Sequence, residues 1–299
     1  MLTDIEYTKL TPLQIQKPQA DYYIKPANHF TLKQLTDIYN QTRVDYIVPM
    51  PMNEAKLREY VHNYDVDLTQ SVVAMSDEHP LGLAMLGIRS DVAWITRLGV
   101  TPHGRQKGIG RGLMNSLIDN ARQMQAQKVV LEVIKNNKPA QRLFESLGFQ
   151  VLRELLVVRR PPKAMNMTVK NTLYIETAGF QDAAALLKNR TDAASWVTAN
   201  ESLTKTNGLV ALTADIPKVG RGWLVYESSV FQLNRLVLET DPAASTEVAT
   251  NLLQHLHWRH PVQDTVVENV PANHQLWPVF QSLGYITSFT RVEMELALS

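Results

Sequence analysis

Apolar residues fall in short runs and in helical stripes along this chain, and the two kinds of pattern alternate. Ser71–Met75 and Leu81–Ile88 are apolar runs joined by the turn-like Ser76-Asp77-Glu78-His79-Pro80, and Val92–Val100 is a third run close behind. Connections this short predict antiparallel strands. Two helical patterns precede them, Leu32–Tyr39 and Glu54–Tyr64. After the third run, Ile109, Leu113, Leu117, Ala121 and Met124 recur at spacings of four, four, four and three, which is one apolar helix face. Lys128–Val133 then reads as a strand. Pro139–Leu147 reads as a helix with Pro in its first turn and Gly148 just past its end. This mixture predicts an α+β, mixed α/β architecture.

The second half repeats the ending of the first. Residues 130–148 align with 266–284 without a gap, and seven of nineteen positions are identical, among them Glu132/Glu268, Asn137/Asn273, Phe144/Phe280 and Gly148/Gly284. Upstream, Arg97-Leu98 matches Arg235-Leu236. The pattern is that of an internal duplication. A length of 299 residues also predicts two domains. Arg159-Arg160-Pro161-Pro162-Lys163 reads as the linker, because two prolines fix φ and remove two backbone donors. The expected domains are 1–160 and 161–299.

Composition narrows the function classes. Hydrophobic content of 44% and charged content of 20% are ordinary for a globular chain. Without cysteine, a thiolate metal site or cysteine nucleophile is impossible. A net charge of +1 makes no case for nucleic acid or an acidic membrane as partner. No window reaches the roughly 18 apolar residues of a membrane span. The first residues, Met1–Glu6, carry acids and lack the basic start of a secretory signal. A cytoplasmic address is expected. The charge is unevenly spread, with a net of +5 over residues 1–165 and −4 over 166–299, so an anionic ligand suits the first half.

The segment that carries chemistry is Leu98-Gly99-Val100-Thr101-Pro102-His103-Gly104-Arg105-Gln106-Lys107-Gly108-Ile109-Gly110-Arg111-Gly112-Leu113. A strand runs into a basic, glycine-rich turn that opens a helix. The first amides of a helix have no intrahelical acceptor, and with the helix dipole they form an anion site suited to a pyrophosphate. Arg105, Lys107 and Arg111 add positive charge there. The spacing fits neither a Walker loop nor a dinucleotide fingerprint, since three residues separate Gly104 from Gly108 and Leu113 stands where the last glycine would be. What is present is Arg-x-x-Gly-x-Gly (Arg105, Gly108, Gly110). It is followed at a distance by Leu131-Glu132-Val133, Asn137, Ala140, Phe144 and Leu147-Gly148-Phe149.

These two linked motifs resemble the GNAT superfamily of acyl-CoA-dependent N-acyltransferases, over roughly residues 20–158 and, in degenerate form, over the second half. The resemblance implies two tandem domains, each a mostly antiparallel mixed sheet flanked by helices. It implies acetyl-CoA as cosubstrate. Backbone groups of Leu98, Gly99 and Val100 would pair with pantetheine, amides of Arg105, Gln106, Lys107, Gly108, Ile109, Gly110 and Arg111 would cradle the pyrophosphate, and Asn137 would bond near the thioester. Phe144 stands on the cofactor side, where the family usually has a tyrosine acid. Glu132 would serve as general base for direct attack by a primary amine in a ternary complex. Tyr46 is the candidate acid among Tyr39, Tyr46, Tyr60 and Tyr64. The acceptor would be a small-molecule or peptide amine, the chain a monomer or homodimer.

The second half's counterpart of the glycine turn, Asp241–Val248, has neither glycine nor basic residue, so it is expected to bind no CoA. Trp94 reads as core, and Arg97, like Arg235, as a structural pairing. His255, His257, His260 and His274 read as residues at a helix end, where their partial charge would suit the dipole, and no metal is expected. The alternative function is a non-catalytic acyl-CoA-binding or sensing protein, suggested by Phe144.

Overall fold

The computed structural model describes residues 22–48, 50–77, 79–165, 174–206 and 208–298. Met1–Glu6 lies outside them. The first half runs β1 (Tyr23–Pro26), α1 (Leu32–Gln41), α2 (Glu54–Asn63), β2 (Val72–Ser76), β3 (His79–Arg89), β4 (Val92–Val100), α3 (Ile109–Gln123), β5 (Lys128–Ile134), α4 (Lys138–Glu145) and β6 (Gln150–Arg160). The second runs β7 (Ile175–Ala178), α5 (Phe180–Lys188), α6 (Asn200–Leu203), β8 (Leu209–Ile216), β9 (Gly220–Ser228), β10 (Gln232–Thr240), α7 (Ser245–Arg259), β11 (Asp264–Pro271), α8 (Trp277–Ser282) and β12 (Ile286–Ala297). Among the described residues no helix is long and apolar enough to cross a membrane.

Local chemistry accounts for the element ends. Thr31 and Gln34 form a reciprocal capping box at the start of α1. Asn53 caps α2, and Asn137 caps α4 through Oδ1, which accepts from the Ala140 amide at 3.4 Å. Gly148, at φ +93°, ends the turn after α4 in the left-handed region that an L side chain resists.

The twelve strands of the described residues form one mostly antiparallel sheet in the order β1-β2-β3-β4-β5-β12-β6-β11-β10-β9-β8-β7. The final strands of the two halves are exchanged. β12 lies along β5, from Arg291 opposite Ile134 to Ala297 opposite Lys128, and β6 lies along β11. Val292 and Met294 of β12 therefore fill the core under α3, whereas Leu156 and Val158 of β6 fill the core under α7. Arg159 and Arg160, expected in a linker, are instead the last residues of β6: Arg159 pairs with Asp264 at 2.7 Å, and the strand ends before Pro161.

A second seam joins the halves. Trp196 enters the core formed by α1, α2 and the opposite sheet face, stacks on Trp94 at 5.6 Å and 13°, and donates to the Tyr64 carbonyl at 2.9 Å. Arg89 lies over the Trp196 ring and donates to Ser202 Oγ at 2.7 Å.

Candidate active site

The site forms where β4 leaves its neighbours. β4 and β5 pair in parallel only from Val92/Lys128 to Ile95/Leu131. On the other side, Arg97 and Leu98 together oppose the single residue Ala84 of β3, with pairing resuming at Gly99/Leu83. This is a β-bulge, and Arg97 takes φ +55° to make it. The bulge turns β4 away from β5 and opens a cleft of about 660 Å3 lined by both halves. That volume suits a small-molecule ligand.

At the far end of β4, Gly108 caps α3 at φ +76°, and a Cβ built there meets nothing within 4 Å. The first hydrogen bond of α3 is Gly112 amide to Gly108 carbonyl at 3.0 Å. The amides of Ile109, Gly110 and Arg111 thus precede the helical ladder and point toward the open turn. Gln106 is also left-handed, at φ +64°. Two of the three cations around this turn have partners of their own. Arg105 forms a bidentate pair with Asp45 at 2.5 and 2.6 Å, and Arg111 donates to Ser146 Oγ at 2.6 Å. Lys107 is exposed. Leu98, Gly99 and Val100 end β4 beyond the bulge, with the Leu98 carbonyl accepting from Arg43 Nη2 at 2.9 Å and that of Val100 from Arg105 Nε at 3.4 Å. Phe144 is 5% exposed and packs against Phe149 within the core.

Glu132 lies in the cleft and carries no ion pair among the described residues. Its Oε2 accepts from Trp94 Nε1 at 2.7 Å and its Oε1 from Asn269 Nδ2 at 3.1 Å. Burial pushes the carboxyl up to about 7, against the pull of the Arg291 charge and the Trp94 hydrogen bond. The duplicated Glu268 behaves oppositely. Arg291 sits 2.9 Å away and holds it below the usual carboxylate range. One duplicated glutamate is thus a structural ion-pair member and the other a poised, neutral-donor-bound carboxylate. Sequence reasoning missed Trp94, expected only as core, and Asn269. Asn269 sits at a bulge of β11 with φ +57° and also accepts from Arg291 at 2.7 Å. No spacing signal ties a residue of the second half to Glu132.

Tyr46 lines the cleft beneath the Arg43 guanidinium, 4.2 Å from its ring. Tyr60 lies deeper, with its hydroxyl 2.5 Å from Thr96 Oγ1, and burial raises its phenol above the ordinary value. The histidines of the second half stand away from this cleft. His257, expected to add charge at a helix end, is instead buried beside the Tyr285 hydroxyl at 2.8 Å, and burial lowers it to about 3, so it is neutral.

Residues 32–149 match the Acetyltransferase (GNAT) family. A Bacillus subtilis (strain 168) protein provisionally named ribosomal protein bS18-alanine N-acetyltransferase is 32% identical over 79 residues, 26% of this chain. The chain spans about half (52%) of the length of that curated relative. Among solved structures, a GCN5-related N-acetyltransferase from Sphaerobacter thermophilus superposes with a TM-score of 0.68 at 15% identity, covering 93% of this chain and 96% of that one. A tandem GNAT protein from the clavulanic acid biosynthesis pathway superposes with a TM-score of 0.62 at 16% identity, covering 92% and 98%. At these identities the structural likenesses speak for the fold.

Proposed function

We propose that this chain, whose residues 32–149 match the Acetyltransferase (GNAT) family, is an N-acetyltransferase moving an acetyl group from acetyl-CoA to a primary amine. The observation that carries this reading is the parting of β4 from β5 beside a helix N-terminus with three amides outside the ladder. A thioester arm laid along β4 would find backbone groups of Leu98, Gly99 and Val100, and its pyrophosphate the amides from Arg105 to Arg111. The open space over Gly108 fits that ligand. Asn137 spends Oδ1 on its own helix cap and keeps its Nδ2 donor for pantetheine. Residues 1–160 would supply this acetyl-CoA-binding domain, and residues 161–299 a degenerate copy that shapes the acceptor side.

When bound, acetyl-CoA supplies the activated acyl group. An alkylammonium must lose a proton before its nitrogen can attack, and Glu132, near 7, is matched to that task at neutral pH. The C–N bond forms as the C–S bond breaks. The ammonium proton passes to the Glu132 carboxylate, directly or through water; the departing thiolate takes a proton from Tyr46 or from water, and the second proton, shed by the nitrogen as the amide forms, passes through water to restore that donor. Phe144 has no proton to give. A cytoplasmic address suits a CoA-using enzyme.

The test is calorimetric titration of acetyl-CoA into the protein and into a Gly108→Glu variant, with release of free thiol followed over a panel of amines. One-site binding lost in the variant, with amine-dependent thiol release, is the expected result. Binding without turnover on any amine would favour a sensing protein instead. Absence of binding to the unmodified protein would overturn both.

A further inference from the structure

The duplication provides an internal control for the cleft's arginines. Arg97 and Arg235 occupy the same bulge position in β4 and β10, at φ +55° and +51°. In the second half the residue opposite Asn234 on β9 is Glu227, and its carboxylate pairs with Arg235 at 2.9 Å. A further bond to the Ser202 carbonyl at 3.0 Å completes that arginine's partners. In the first half the equivalent residue, opposite Thr96 on β3, is Met85. A buried thioether stands where the second half has its counterion.

Arg97 has found no substitute. Among the described residues its hydrogen-bond partners are Tyr39 Oη at 3.3 Å and Met50 Sδ at 3.9 Å. Its Nε is buried and has none. The guanidinium lies 4.0 Å over the Tyr60 ring, a weaker contact than a carboxylate would give. The charge of Glu268 acts on it, but that carboxylate is ion-paired with Arg291. Arg97 and Glu132 line the same cleft. A fixed cation beside apolar and aromatic walls, missing the partner its duplicate retains, is a receptor for an anionic group.

We propose that the acceptor is an amino carboxylate, its carboxylate bound by Arg97 in the place Glu227 fills for Arg235, and its amine presented toward Glu132. This rests on the acetyltransferase reading and assigns Arg97 the choice of substrate. The carboxylate is an outside ligand here because β3 offers none.

The experiment compares amino carboxylates, from α-amino to ω-amino acids, with their carboxamides in thiol-release assays. The proteins are the unmodified chain, Arg97→Gln and Met85→Glu. The unmodified protein should prefer the best carboxylate over its carboxamide by about 30-fold or more in kcat/KM, the scale for truncating one partner of a buried charge pair. Arg97→Gln should bring that ratio close to one. Met85→Glu rebuilds the second half's pairing inside the first and should also erase the preference, with acetyl-CoA affinity by calorimetry reporting that its fold is intact. Equal use of carboxylate and carboxamide by the unmodified protein overturns the proposal, as does a preference that survives Arg97→Gln. Should no amine turn over, the acetyltransferase reading fails. Calorimetry of the same amino acids then decides the Arg97 assignment: binding lost in Arg97→Gln upholds it, and no binding overturns it.

Discussion

Replacing Glu132 with Gln separates a catalytic carboxylate from a structural one. The group titrates near 7 instead of 4.5 because burial disfavours its charged form. At about 1.36 kcal/mol for each pH unit, that difference is worth about 3 kcal/mol. The sign follows from proton binding. Between pH 4.5 and about 7 the native state holds this proton more tightly than the unfolded chain does, so this contribution to stability is complete below 4.5 and is lost as pH rises through 7. Gln cannot titrate. Its amide must face either Trp94 or Asn269, both donors, as the O–H of the protonated parent must below pH 7. The stability difference, variant minus parent, should therefore rise by about 3 kcal/mol between pH 4.5 and pH 8. Urea titrations at five pH values measure it. In the thiol-release assay the parent's kcat/KM should show an acid limb with a midpoint near 7. The variant should lose that limb and about 100-fold or more in rate. An unchanged acid limb in Glu132→Gln refutes the assignment of Glu132 as base. A stability difference flat with pH refutes the raised value itself.

Other expectations follow from contacts across the seam. Asn269→Ala removes a donor to the Glu132 carboxylate, so the acid limb should move up by about half to one pH unit, visible in the same pH–rate profile. Trp196→Ala deletes a ring stacked on Trp94 and should destabilise the protein by about 3–5 kcal/mol in urea unfolding. His257→Asn removes a group that is neutral when folded and protonated when unfolded. That contribution is present above 6.5 and lost toward about 3, so the variant's stability should fall less steeply between pH 6.5 and 4. Parallel urea titrations of parent and variant would show equal slopes if His257 were solvated.

Features determined by neighbours in the chain were readable from the residues alone. Glycine at 108 opens a helix because L side chains resist φ +76°. Asn137 caps α4 because its oxygen reaches the amide three residues on. Leu113 and Leu117 face one way because a helix turns every 3.6 residues. The duplication, the glycine turn and the position of Glu132 on β5 follow from such local order. What tertiary structure decided is pairing between distant segments, which periodicity does not encode. It placed β12 beside β5 and β6 beside β11, so a linker expected at Arg159 became strand. It gave Glu268 to Arg291 and left Glu132 with Trp94 and Asn269, although the two glutamates sit at equivalent positions of the repeat. It likewise set Met85, not a carboxylate, across from the bulge that holds Arg97. The physical reason is common to all three. Burial and the identity of the opposing side chain set a charged group's protonation and partner, and both are known only once the strands are in register.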